Sequence, residues 1–228
     1  MEKKNTLLLT VIAVATLLVA VVGATFAYFG SFNQDVNQTA NINLTTTAGL
    51  TSSFVTTSKE YEFTVPDSAM GFSNVDARAK VADGTATLTV TLNSGSTDTK
   101  TECTYDVLFT GKGNYTANKS TYETAKTGGD EFTYTLGNNE GTGYTVGTAR
   151  TLFTETEANF SALDGLSDTK VSTGDKLVST GADATVTYSL NVKFYNLPNV
   201  AQTGLQDKTF GGILKVANQS CTSEKVGA

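Results

Sequence analysis

Few residues of this chain have the types and spacing that chemistry needs. Among 228 residues there is no histidine. That excludes Ser-His-Asp and Cys-His nucleophile systems and His-containing zinc sites. The strings Ser167-Asp168-Thr169-Lys170 and Lys126-Thr127-Gly128 match the S-x-x-K and K-T-G motifs of serine β-lactamases. Their order is reversed, however, and both are expected in loops, so they read as coincidence in a Ser- and Thr-rich chain. Aspartates and glutamates are scattered without the D-x-D-x-D-G spacing of a calcium loop. Glycoside hydrolysis needs only two carboxylates that meet in space, and no such pair can be read from the order of residues. The only two cysteines are Cys103 and Cys221. They lack the C-x-x-C spacing of a redox pair. In an exported chain an even count reads as one disulfide. The expectation is a chain that is not an enzyme, with no cofactor and no metal.

The composition says what must position these residues. Lys+Arg number 16 against 22 Asp+Glu, a formal net charge of −6. An acidic chain without a basic stripe suits nucleic acid poorly. Forty-one residues are threonine, 21 are glycine and only 2 are proline. Threonine is β-branched and favours a half-exposed pleated surface, so the chain leans all-β.

Alternation supports this. Apolar residues fall on every second position at Ala40, Ile42 and Leu44, and again at Tyr61, Phe63 and Val65. A run through Val75, Ala77, Ala79 and Val81 is expected to end at Asp83-Gly84, and a separate strand to carry Ala86, Leu88, Val90 and Leu92. Further runs are Cys103 to Phe109 and Phe132 to Leu136, the latter ending before Gly137-Asn138-Asn139. The clearest has six apolar positions in step, Ala184, Val186, Tyr188, Leu190, Val192 and Phe194. Ile213 to Ala217 is expected to close a sheet. Such strands describe a β-sandwich. One helical signal interrupts them. Thr154 and Glu157 have capping-box spacing ahead of Phe160 and Leu163, which predicts a short helix over Thr154 to Leu166 in a loop insertion. Residues 111–130 are expected to be a surface loop.

The N-terminus is of a different kind. After Lys3 and Lys4 the chain is uncharged from Thr6 to Phe29. As a helix those residues span ~36 Å, against a hydrocarbon core of ~30 Å. Two readings follow, a cleaved signal over residues 1–27 or an anchor retained to about 29. Thr25 and Ala27 fit the small-x-small slot before a cut, with Tyr28 as the new N-terminus. No basic residue follows before Lys59, which also favours cleavage. Residues 28–228 then form one β-sandwich domain, with a donor-strand-like segment at 28–47.

The stretch Gly23-Ala24-Thr25-Phe26-Ala27-Tyr28-Phe29 resembles the signal region of the TasA/camelysin family, exported proteins of Gram-positive-type bacteria that are processed by a SipW-type signal peptidase. Val186 to Tyr195 and Lys208 to Val216 are similar to that family's last long strand and closing strand. The resemblance covers residues 1–32 and the C-terminal strands and leaves about 100–180 unmatched. It implies a jelly-roll-like antiparallel sandwich, secretion to the cell surface, and extracellular biofilm-matrix fibres. The metal-dependent proteolysis associated with camelysin-type members does not carry over, because this chain has no histidine.

What remains is assembly. The segment Tyr28 to Leu44 is terminal, free of Lys, Arg and Pro, and alternates at Ala40, Ile42 and Leu44. Donor-strand addition would place it in the sheet of the next subunit. Head-to-tail addition does not close, so it builds a filament. The expected partners are the chain itself, other matrix or cell-surface components, and the signal peptidase during export. The alternative is a monomeric secreted or membrane-tethered β-sandwich adhesin whose tail packs along its own sheet.

Overall fold

In the computed structural model the described residues are 37–45, 51–65, 78–113, 129–163, 168–198 and 202–226. Sequence expectations that fall elsewhere lie outside them. These are the signal helix, the cleavage residues Thr25, Ala27 and Tyr28, residues 28–36 and 46–47 of the donor-strand-like segment, the positions Val75 and Ala77, the string Lys126-Thr127-Gly128, and most of the 111–130 loop.

Alternating sequence becomes two antiparallel sheets. One contains β1 (Asn37–Thr45), β2 (Thr51–Lys59), β4 (Ala79–Asn93), β6 (Phe132–Glu140), β8 (Thr154–Asn159) and β10 (Ala184–Asn196). The other contains β3 (Tyr61–Thr64), β5 (Thr99–Gly113), β7 (Tyr144–Thr145), β9 (Thr169–Thr180) and β11 (Thr209–Lys225). The first is ordered β1-β2-β4-β10-β6-β8 and the second β3-β11-β5-β9-β7. From β2 to β11 every step along the chain crosses to the other sheet. This is jelly-roll winding, with β4-β10-β6-β8 opposed to β3-β11-β5-β9.

The core lies between the sheets. Along β10 every second residue is buried over 13 residues, a strand about 43 Å long. Its inward side chains meet those of β4, where Ala86, Leu88, Val90 and Leu92 are fully buried. The second sheet supplies Cys103, Tyr105, Val107 and Phe109 from β5 and Phe210 and Leu214 from β11. Aromatic rings tie the layers together. Phe54 of β2 lies 5.5 Å from Tyr105, and Phe132 lies 5.0 Å from Phe194 and 4.8 Å from Phe210. Burying one such ring stabilises the fold by roughly 2–3 kcal/mol.

Three expectations need correction. Asp83-Gly84 does not end a strand, because β4 runs through it for 15 residues. Gly84 pairs with Val192, and a Cβ there would come within 3.0 Å of the Tyr61 ring. The glycine makes room for an aromatic side chain of the opposing sheet. Likewise β6 continues through Gly137-Asn138-Asn139, held by the long partner β10. The third correction concerns the helix. Thr154–Asn159 is an edge strand, followed by a single 3-10 turn at Phe160–Leu163. The capping-box partners are engaged elsewhere. The Thr154 hydroxyl donates to the Thr156 carbonyl, and Glu157 accepts from Lys193 and Tyr195. Phe160 packs edge-on against Phe109 and Tyr134. Three strands, β2, β9 and the two-residue β7, had no sequence signal clear enough to place them.

Candidate functional site

The sheet edges are where this fold can meet another chain, because an outer strand has unpaired N–H and C=O groups. β1 is one edge of the six-stranded sheet, and among the described residues no strand pairs with its outer side. Its nine residues contain no charge and no proline. It pairs with β2 over its whole length in unbroken register. Ala40, Ile42 and Leu44 pair with Thr56, Phe54 and Ser52. The donor-like residues therefore occupy the chain's own sheet, as a hairpin with β2.

The opposite edge is built differently. β8 has Glu155 and Glu157, and its pairing with β6 is interrupted between Tyr134 and Leu136. Charge and irregular pairing both protect an edge. Glu157 locks β8 down. Its carboxylate accepts from Lys193 Nζ at 2.6 Å, the Tyr195 hydroxyl at 2.7 Å and the Thr133 hydroxyl at 3.2 Å. Arg78 lies 3.7 Å away and stacks over the Tyr195 ring. Burial pushes the carboxyl up, but the hydrogen bonds and the Lys193 charge outweigh it and hold Glu157 at about 2. The edges of the other sheet, β3 and β7, are four and two residues long.

The cysteines meet. Cys103 and Cys221 are register partners on β5 and β11, with Cα atoms 4.1 Å apart, and form a disulfide. The bridge fastens the last strand to the middle of its sheet.

The carboxylates are the remaining groups with possible chemistry. Asp175 is fully buried and accepts from the Ser172 hydroxyl at 2.6 Å, the Gly147 N–H at 2.6 Å and the Tyr188 hydroxyl at 2.5 Å. The Tyr105 hydroxyl in turn lies 3.0 Å from that of Tyr188. Burial, with the Asp175 charge beside them, pushes both tyrosine hydroxyls far above their ordinary range. Ser172 and Asp175 resemble a nucleophile and its base, yet both are 0% exposed. No substrate reaches them, so the network acts as a satisfied polar core. Lys170, from the S-x-x-K string, lies on β9 rather than in a loop. It pairs with Asp106 at 3.0 Å, which also accepts from Asn218 and the Gly174 N–H. Ser167 lies outside the described residues. Glu60 and Glu62 are the nearest to a carboxylate pair. Burial first and the Glu60 charge second raise the Glu62 carboxyl, while Lys112 binds Glu60 and counteracts this. Among the described residues no three Cys, Asp or Glu side chains converge on a metal position, and no helix is long and apolar enough to cross a membrane.

No known family model matches the chain, and no curated protein is similar to it at a significant level.

Proposed function

We propose that the chain is an exported structural subunit of a bacterial surface or biofilm-matrix fibre. The carrying observation is β1, the first described strand, an uncharged and regularly paired edge strand whose only described partner is β2. In a free subunit β1 completes its own sheet. In the fibre it leaves that place and pairs with β2 of the next subunit, exchanging like for like at little cost in pairing. The reading keeps Ala40, Ile42 and Leu44 as the donor positions, with Thr56, Phe54 and Ser52 as the acceptor register. The signal-like N-terminus and the resemblance to TasA/camelysin proteins support export by a SipW-type peptidase. The Cys103–Cys221 disulfide suits an oxidising, extracellular location. In this reading the chain has no catalytic group, cofactor or metal, and its main partner is itself.

Locking β1 in place tests the exchange. Asn41 and Val55 are register partners, as the native cysteines are. Asn41→Cys with Val55→Cys should form a second bridge. The oxidised variant should remain monomeric by light scattering, while wild type forms filaments under the microscope. Filaments from the locked protein would show that β1 is not the exchanged strand. A wild type that stays monomeric under all conditions would return the chain to the adhesin reading.

A further inference from the structure

The two outward faces of the sandwich differ in chemistry. The outer face of the five-stranded sheet is laced with ion pairs, Lys100–Glu224, Lys176–Glu102, Lys170–Asp106 and Lys215–Asp168. The outer face of the six-stranded sheet has, across β2, β4, β10 and β6, a threonine-rich block that is bordered by charge, with Lys59 of β2 beside Thr87 and with Asp83 and Lys193 further along β4 and β10. The register lines it up in rows. Thr57, Thr89, Thr187 and Asn139 stand side by side across four strands, and Val55, Thr91 and Thr185 across three. These side chains are half-buried or exposed. Their hydroxyls satisfy one another within the sheet, Thr89 with Thr187 at 3.1 Å and Thr185 with Thr91 at 3.2 Å. Such a surface gives up little on losing water, because its polar groups already have partners.

We infer that this threonine face is a lateral docking surface for the same face of a second copy of this chain, joining neighbouring filaments into bundles. The inference rests on the fibre reading above. Charge selects the occupant. The chain is acidic, at −6, so most approaches of two copies bring like charges together or strip water from ion pairs. The threonine face avoids both costs. A regularly registered sheet face can also meet its own copy across a two-fold axis, and sheets stack at ~10 Å. Area selects the setting. Four strands at ~4.8 Å spacing and about seven residues at ~3.3 Å give on the order of 400 Å² per copy. A stable pair of free proteins needs about 800 Å² per partner. Single subunits therefore do not dimerise through this face. Filaments repeat it along their length, and many weak contacts add by avidity.

The test compares full-length wild-type filaments with Thr91→Glu/Ser189→Glu, which sets two charges on β4 and β10 of this face. Thr104→Glu is the control, adding charge to the other outer face, beside Lys176. Negative-stain microscopy and low-speed sedimentation read the outcome. Wild type and Thr104→Glu should sediment as bundles, whereas the double variant should give single filaments that stay in the supernatant. The wild type supplies a second measurement that needs no variant. Its bundles should survive ~1 M salt, where surface ion pairs are screened to ~3 Å. Bundles that dissolve in salt, or that persist in the double variant, overturn the inference while leaving the fibre reading intact. So do wild-type filaments that never bundle, or that bundle only when a neutral glycan is added. Absence of any filament overturns both.

Discussion

Two side-chain networks make the pH limits of this protein predictable. Glu157 has a folded-state value of about 2 against 4.5 for a free glutamate. Its contribution is present above ~4.5 and disappears as pH falls towards 2. The group is part-exposed, at 30% of its side chain, so solvent screening keeps the effect modest. Glu157→Gln should lower the thermal midpoint at pH 6 and narrow the gap to wild type as pH falls to 2. An unchanged gap across that range would mean that Glu157 does not fasten β8. At the alkaline end the sign reverses. Tyr105 and Tyr188 stay protonated in the folded state well above their ordinary value of 10. They favour folding below pH 10, and that advantage shrinks as rising pH ionises them in the unfolded chain alone. Ultraviolet titration should find these hydroxyls silent until unfolding. Tyr188→Phe should cost about 1–3 kcal/mol, since it strips a donor from the buried Asp175 carboxylate. A neutral effect in urea would mean that Asp175 finds another partner.

At the scale of elements, the disulfide has a specific task. It joins β5 and β11 across a sequence separation of 118. Closing so long a loop can contribute on the order of 4–5 kcal/mol. Cys103→Ser with Cys221→Ser should lower the urea midpoint, with a somewhat steeper slope because the unfolded chain is no longer cross-linked. A shift near zero would show that strand pairing alone holds β11. Legibility differed sharply between elements. β10, with six apolar residues in step, was evident in the sequence because both its inward face and its length are written locally. β2 and β9 were not. β2 has Phe54 as its one large ring, and β9 buries Ser172, Asp175 and Ser179 on a face that alternation would assign to apolar residues. Hydrogen bonding to neighbours makes those polar positions tolerable in the core, and a sequence does not show neighbours.

For the whole molecule, the winding governs folding. β4 pairs with β10, and β5 with β11, so the central contacts of both sheets close only after long loops are ordered. Topologies of this kind fold in roughly milliseconds to seconds. Stopped-flow refolding followed by tyrosine emission, in a chain with no tryptophan, should be that slow with the disulfide intact. It should be slower again in the double serine variant, because the bridge pre-forms one of the long loops. Sub-millisecond refolding of either protein would mean that local structure, not the crossed pairing, limits the rate.

Composition and alternation were enough to determine an all-β sandwich, because both are properties of the pleated strand itself: threonine suits its exposed face, and a period of two reports one buried side. The cysteine count was enough to determine a single bridge. Everything that depends on which strands become neighbours was decided only by the tertiary structure. Asp83-Gly84 reads locally as a turn, yet it lies mid-strand, because Val192 pairs with Gly84 and Tyr61 needs the space above it. Thr154 to Leu166 reads as a capped helix, yet β6 supplies an edge to pair with and Lys193 and Tyr195 take the Glu157 cap. The donor-like segment is the same kind of case. Its alternation marks it as a strand, but alternation is silent on whose sheet it completes. The backbone hydrogen bonds of a strand pair are the same within one chain as between two, so only the fold places β1 beside its own β2.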